Sequence, residues 1–205
     1  MRILVTGASG FLAGYVATAF AEAGAKVDGL DRNLESVSSH PARPAYVRGM
    51  TADLCDTEAW ARWVEAAPPD LVVHLAGPAD VAASFDDPTG DLRAHLYPLL
   101  SLYCVVGRLR AKPRVLMVSS AAVYGQPRQL PTPEEAPRAP ISPYGYHKVQ
   151  QELLVEEFAR LHGVPGCSAR VFSVYGEGLR HLAFWDITRR ALRGDGGIHG
   201  TGNES

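Results

Sequence analysis

The sequence predicts an α/β fold, a parallel sheet doubly wound with helices on both faces. Three observations point there. Short apolar runs alternate with stretches of helical spacing along the chain. The runs DLVVHLAG and RVLMVSS are apolar without polar alternation, as parallel strands covered on both faces are. The first run, RILVTG, passes directly into a glycine-marked turn and then a helical stretch.

Taken in order, RILVTG is a strand ended by glycine, and FLAGYVATAFAEAGA is a helix that stops at Gly24. KVDGLDR and PAYVRGM are the second and third strands. DTEAWARWVEAA is a helix with Asp56 as its N-cap, closed by Pro68 and Pro69. DLVVHLAG is the fourth strand. LRAHLYPLLSLYCVV, residues 92–106, is a helix apolar on nearly every side from Leu96 onward, so one side must cover the sheet and the other needs a partner. RVLMVSS is the fifth strand. QPRQLPTPEEAPRAPISP holds too many prolines for a helix or a central strand and reads as an ordered active-site loop. A helix follows Pro143, and VPGCSARVFSVYG supplies the sixth strand.

Bulk properties narrow the function. The chain has 205 residues, 46% of them hydrophobic and 20% charged, with a formal net charge of -2. That balance gives no electrostatic footing for nucleic acid or for an anionic membrane. Cys55, Cys104 and Cys167 are odd in number and scattered, which fits a reducing compartment without disulfides. No cysteine or histidine spacing suggests a metal site. Met1 and Arg2 lead straight into a strand and no apolar run could span a bilayer, so a cytoplasmic protein is expected.

In such sheets ligands bind beyond the carboxyl ends of the strands, at the switch point. The residues there are Gly7, Asp31, Gly77, Ser119, Ser120 and the Val174–Tyr175 pair. In TGASGFLAG, Gly7 permits the tight turn and Gly10 lets backbone approach a pyrophosphate lying on the helix N-terminus. Ala13 holds the third, packing position, where alanine is tolerated, and Gly14 reads as a free small residue inside the helix. Asp31 ends the second strand about 20 residues on, where a carboxylate accepts hydrogen bonds from ribose hydroxyls and repels a 2′-phosphate. This favours NAD over NADP. Arg32 could accommodate that phosphate, but reads as a solvated surface charge.

In SPYGYHK, Tyr144 and Lys148 share a helix face. A phenol with a pKa near ~10 is a poor base at neutral pH. A neighbouring ammonium would lower that value and make the tyrosine a usable proton acceptor. Lys148 can also bind a nicotinamide ribose. His147 falls on another helix face and reads as a surface histidine. At the end of the fifth strand, Ser120 would hold the hydroxyl that Tyr144 deprotonates, and Ser119 would brace the backbone.

Together TGASGF, LDR, ADLCD, HLAG, SSAAVYG, PYGYHK and RVFSVYGEG resemble, in order and spacing, the extended short-chain dehydrogenase/reductase family, in particular its NAD-dependent epimerase/dehydratase group acting on nucleotide sugars. The resemblance implies a Rossmann-type domain over residues 1–174. It implies the start of a small substrate-binding region, incomplete here, over residues 175–205. It implies that Asp53 and Leu54 flank the adenine and that Leu75, Ala76 and Gly77 line the cofactor. Ser9, Phe11, Leu12, Ser119, Val171 and Val174 would also face NAD. Ser84, Ser120, Ala121 and Ser173 would face the nucleotide sugar. The implied reaction is hydride transfer from a sugar carbon, with Tyr144 as base, Lys148 tuning it and Ser120 orienting the oxygen.

Departures from the group matter. Ala121 and Ala122 stand where its dehydratases carry an acidic pair, so epimerisation or keto-reduction is expected rather than 4,6-dehydration. Ser173 replaces an asparagine that commonly contacts substrate phosphate. His95 and Pro98 stand where relatives have asparagine and glycine, and His95 reads as a packed helix histidine. A reductase or dehydrogenase of the same family, or a non-catalytic NAD-binding protein, are the other readings; the intact Ser120, Tyr144 and Lys148 argue against the second. A homodimer is expected through helices near 92–106 and 144–162, with Leu99, Tyr103 and Val106 as candidates for the shared face.

Overall fold

The computed structural model describes residues 1–42, 44–179 and 183–195. Six strands form one parallel sheet: β1 Arg2–Thr6, β2 Lys26–Asp31, β3 Arg48–Thr51, β4 Leu71–His74, β5 Arg114–Ser120 and β6 Gly166–Val171. Their order is β3-β2-β1-β4-β5-β6. The order reverses between β1 and β4, so the switch point lies where those two strands end. The register places Thr6 beside His74 and Leu30, and Ser120 beside Val171.

Alternation along β1 divides the core. Ile3 and Val5 face Ala13 and Ala17 of α1 (Phe11–Glu22), together with Val27 and Val73. Leu4 faces the other way, into a larger cluster with Trp60 and Val64 of α2 (Thr57–Glu65). Leu99, Leu102, Tyr103 and Val106 of α4 (Pro88–Val106) join that cluster, as do Val155 and Phe158 of α5 (Pro143–Leu161). Between β4 and α4 lies the short α3, Val81–Asp86. A doubly wound parallel sheet is therefore present, as the apolar runs required.

Three local expectations change. The third strand starts at Arg48 rather than at the preceding proline, because Tyr46 leaves the sheet edge to send its hydroxyl to the Ala8 carbonyl at 2.8 Å. Asp56 sits at the N-cap of α2 but makes no capping side-chain hydrogen bond. Leu99, Tyr103 and Val106, expected on an uncovered face of α4, are each 0% exposed within the single chain. That side packs on the sheet and α5, where the Tyr103 ring stacks on Phe158 at 4.5 Å. The outward row is Tyr97, Leu100 and Cys104 instead.

The chain forms two compact units, Met1–Phe172 and a second beginning at Ser173. The second unit contains α6, Ala183–Leu192, where the Arg189 guanidinium lies 5.7 Å from the Trp185 ring centroid. Residues 180–182 and 196–205 of the region expected to bind substrate lie outside the described residues. Among the described residues, no helix is long and apolar enough to cross a membrane.

Candidate active site

Beyond Thr6 the chain turns through Gly7, with φ +71. A Cβ there would lie 2.7 to 2.8 Å from the backbone of Leu75 and Ala76, so only glycine lets the ends of β1 and β4 come this close. Gly7 and Ala8 both donate to the Leu30 carbonyl, at 3.0 and 3.3 Å, and Gly10 donates to Gly7 at 2.9 Å. Gly10 is the N-cap of α1 in extended conformation, and no side chain caps that helix. The first-turn amides of Phe11 and Leu12 thus have no side-chain partner at the positive end of the helix dipole. Asp31 stands beside this turn and accepts from the Ser9 amide at 3.1 Å and the Asn33 amide at 2.9 Å. Arg32 is exposed. These groups fit a dinucleotide: backbone donors for its diphosphate, and a carboxylate beside the turn for a ribose.

Gly14 is not free. A Cβ on it would lie 2.2 to 2.5 Å from three ring atoms of His40. The His40 Nε2–H donates to the Phe11 carbonyl at 2.8 Å, and its Nδ1 accepts from the Ala42 amide at 3.0 Å. The ring also meets Tyr15 edge-on at 5.2 Å. The glycine displaced by one position from the expected pattern is the seat of this histidine.

Of the other cofactor candidates, Leu75 and Ala76 are half-buried beside the glycine turn, and Gly77 is exposed with φ +138. Asp53 is exposed and its carboxylate accepts from the Cys55 amide at 2.8 Å. Leu54 is 5% exposed and belongs to the core cluster, so its side chain serves packing first. Val171 lies next to Ser120 across the β5–β6 pairing. Ser173 and Val174 belong to the second unit.

Ser120, Tyr144 and Lys148 come together. Ser120 caps the 3-10 turn Ala121–Tyr124 by accepting from the Ala122 amide at 3.1 Å. Its hydroxyl also acts on the Tyr144 phenol, pulling that group's pKa down. Tyr144 lies in the first turn of α5, whose N-cap Ser142 accepts from the Gly145 amide at 3.1 Å. Lys148 Nζ is 5.6 Å from the Tyr144 ring centroid and donates to the Val118 carbonyl at 3.2 Å. Burial of both groups governs their ionisation. It raises Tyr144 above the ordinary phenol value, with Asp91 adding to the rise. It lowers Lys148 to about 8, against the pull of Asp91 and Glu152. The expected drop in the tyrosine is thus outweighed by desolvation.

Two serines are buried in bracing contacts. Ser84 is 0% exposed; it donates to Val81 at 2.6 Å and accepts from the Tyr144 amide at 3.1 Å. It fixes the start of α5. Ser119 is 3% exposed and donates to Glu152 at 2.7 Å. Glu152 also takes two hydrogen bonds from Arg170, each 2.9 Å, and lies 3.3 Å from Arg138. Ser119 therefore ties β5 to α5. Arg170 reaches on to the Glu134 carbonyl at 2.7 Å, which anchors the proline-rich segment to the sheet edge.

His147, expected at the surface, is buried in a group with Asp91 and His95. His147 is 6% exposed, and its Nδ1 lies 2.5 Å from Asp91 Oδ2. The other Asp91 oxygen is 3.4 Å from His95 Nε2. His95 is fully buried, as a packed histidine would be, and meets the Tyr144 ring edge-on at 5.3 Å. His74 Nδ1 pairs with Thr6 at 2.8 Å. Among the described residues there is no cluster of three or more histidine, cysteine, aspartate or glutamate side chains able to hold a metal.

A family model described as the NAD dependent epimerase/dehydratase family matches residues 3–205. A UDP-glucose 4-epimerase of Azospirillum brasilense is 33% identical over 175 residues, which are 85% of this chain and 49% of that protein. The crystal structure of a Thermotoga maritima UDP-glucose 4-epimerase with UDP-glucose superposes with TM-score 0.84 at 30% identity, covering 95% of this chain and 64% of that one. A Brucella ovis UDP-glucose 4-epimerase in complex with NAD gives TM-score 0.76 at 28% identity, covering 84% and 52%. The chain spans about half the length of the curated relatives it matches.

Proposed function

The chain belongs to the NAD-dependent epimerase/dehydratase family, and on that footing we propose that it holds NAD and epimerises a nucleotide sugar through a keto-sugar. The observation that carries this reading is the convergence of Ser120, Tyr144 and Lys148 at the carboxyl ends of the strands, with the uncapped glycine turn at the same end. The names of the relatives support carbon 4 as the centre inverted. Gly7, Ser9, Gly10, Phe11 and Leu12 would hold the diphosphate, and Asp31 the adenosine ribose. Asp53 and the Leu75–Gly77 backbone would line the adenine and the nicotinamide half.

Bound NAD supplies hydride acceptance and return at the sugar carbon. Ser120 orients the sugar hydroxyl, and Tyr144 takes its proton. Burial opposes that transfer, because a buried phenolate is costly. The Lys148 ammonium beneath the ring and the Ser120 hydroxyl offset the cost. When the proton returns to the keto oxygen, the same phenol donates it. Ala121 and Ala122 carry no ionisable group, so water elimination lacks an acid–base pair there. Ala121 and Ser173 remain proposed sugar contacts.

We further read a homodimer through α4 and α5, now on Tyr97 and Leu100 of the first and Tyr146 and Leu153 of the second, all more than two-fifths exposed. The exposed free thiols of Cys55, Cys104 and Cys167 support a reducing cytoplasm.

The test is turnover on UDP-glucose, UDP-glucuronate and UDP-N-acetylglucosamine with chromatographic separation of the epimers. Tyr144→Phe should lose ~10²- to 10⁴-fold in kcat and keep its NAD affinity. Activity within a few-fold of wild type would remove Tyr144 from the chemistry. No epimer from any of the three sugars would defeat the substrate reading.

A further inference from the structure

Behind Tyr144 and Lys148, between α4 and α5, lies a buried array that the proposed reaction does not use directly. Asp91 enters it from the first turn of α4, and His95 one turn later. His147 enters from α5, next to Lys148. Asp91 is 8% exposed and its two oxygens are divided between the imidazoles, 2.5 Å to His147 and 3.4 Å to His95. A carboxylate this deep is costly unless paired. Only His147 is close enough to hold it by a hydrogen bond.

The titratable groups that act on Lys148 lie on β4, α4 and α5. His74 approaches from β4 and His95 from α4. Both are pushed down to about 3 by burial first and by the Lys148 charge second, so neither carries charge near neutrality. Asp91 of α4 and Glu152 of α5 are the two anions acting on Lys148. Glu152 is already held by Arg170, Arg138 and Ser119. Tyr144 is neutral at rest, and the Val118 carbonyl supplies a dipole. Asp91 is then the anion in this shell with no arginine of its own.

We infer that Asp91, locked in place by His147, is the counter-ion that keeps Lys148 an ammonium beneath Tyr144. The two are positioning residues for the proposed proton transfer, and the inference rests on that reading of Tyr144 and Lys148. His147 Nδ1–H donates to Asp91 Oδ2 and fixes the carboxylate. Without that donor the buried carboxylate loses the hydrogen bond that fixes it between α4 and α5. His95, fully buried, lies 3.4 Å from Asp91 and 5.3 Å from the Tyr144 ring centroid.

The sequence contains only three lysines, Lys26, Lys112 and Lys148. Protein labelled with 13C at the lysine ε-carbon therefore gives three titration curves, readable without substrate or turnover. Lys148 is assigned by Lys148→Met. In D91N, and in H147Q, whose amide cannot take the Nδ1 position, the Lys148 midpoint should fall by about one pH unit or more, the scale set by a neighbouring opposite charge. In H147N, whose amide nitrogen does take that position, the midpoint should stay at the wild-type value. A residue with only a packing role would move stability and leave the midpoint alone. A Lys148 midpoint unchanged in D91N overturns the inference; if D91N does not fold, an unchanged midpoint in H147Q does so. Loss of turnover in Tyr144→Phe with no lysine shift would sink this inference alone, whereas a lysine shift with an active Tyr144→Phe would sink the proposed base alone.

Discussion

Gly14→Ala is expected to destabilise this protein, although helix propensity says the opposite. Inside a helix the change gains about 0.5–1 kcal/mol. Here the new Cβ would sit 2.2 Å from His40 Cε1, 2.3 Å from Nδ1 and 2.5 Å from Nε2. The ring cannot swing aside freely, because Phe11 and Ala42 hold its two nitrogens. Displacing it breaks two hydrogen bonds, worth about 1 kcal/mol each. Overpacking adds about 1–3 kcal/mol. The balance is a loss of about 2–4 kcal/mol, or roughly 5–15 °C in Tm for a chain of this size. Thermal unfolding followed by circular dichroism reads it. The same substitution in a His40→Ala background should be neutral or stabilising, since only propensity remains there, and the double-mutant cycle isolates the contact. A Gly14→Ala protein as stable as wild type refutes the reasoning, as does equal damage with and without His40.

Lys148→Met should stabilise the fold at pH 7. Lys148 titrates near about 8 in the folded chain against 10.5 unfolded, so its penalty is full below pH 8 and fades as pH rises towards 10.5. The gain is about 3 kcal/mol at most, and denaturant melts at pH 7 and pH 10 should show it shrinking; no gain at pH 7 contradicts the burial argument. NAD should raise Tm more than NADP does at equal concentration, because the Asp31 carboxylate is proposed to face the 2′ position; a larger shift with NADP would hand selectivity to Arg32. Tyr97→Glu combined with Leu100→Glu should give monomers in light scattering, and a wild-type protein monomeric at micromolar concentration removes the dimer.

The sheet was legible because parallel strands covered on both faces need unbroken apolar runs, and β1, β4 and β5 have them. Gly7, Asp31, Ser119 and Ser120 were legible as strand ends for the same topological reason, whereas Val174 and Tyr175 lie beyond β6, which stops at Val171. What failed was phase and distance. The helix after Asp87 is apolar nearly all round, so its spacing cannot say which side meets the sheet; only the fit against α5 puts Leu99 and Tyr103 inside. His147 and Asp91 are 56 residues apart, and nothing local to SPYGYHK announces the partner. His147 looked outward because its helix face differs from that of Tyr144, yet α4 covers that face as well. Ser84 and Ser119 carry hydroxyls that either bracing or ligand contact would explain. The tyrosine's raised pKa was hidden because burial, unlike the neighbouring lysine, has no signature at four-residue spacing.

The two glycines of the first turn answer to different masters. Gly7 is demanded by the chain itself, since the backbone after β4 leaves no room for a side chain. Gly10 is not, because a Cβ there would press only on the Gly7 carbonyl, at 3.1 Å. A descendant of this protein that had given up its dinucleotide would still have to keep Gly7 in order to fold. It would be free to let Gly10 drift to alanine or serine after a small adjustment. Retention of Gly7 therefore bears witness to architecture, and retention of Gly10 to the dinucleotide proposed to lie on it.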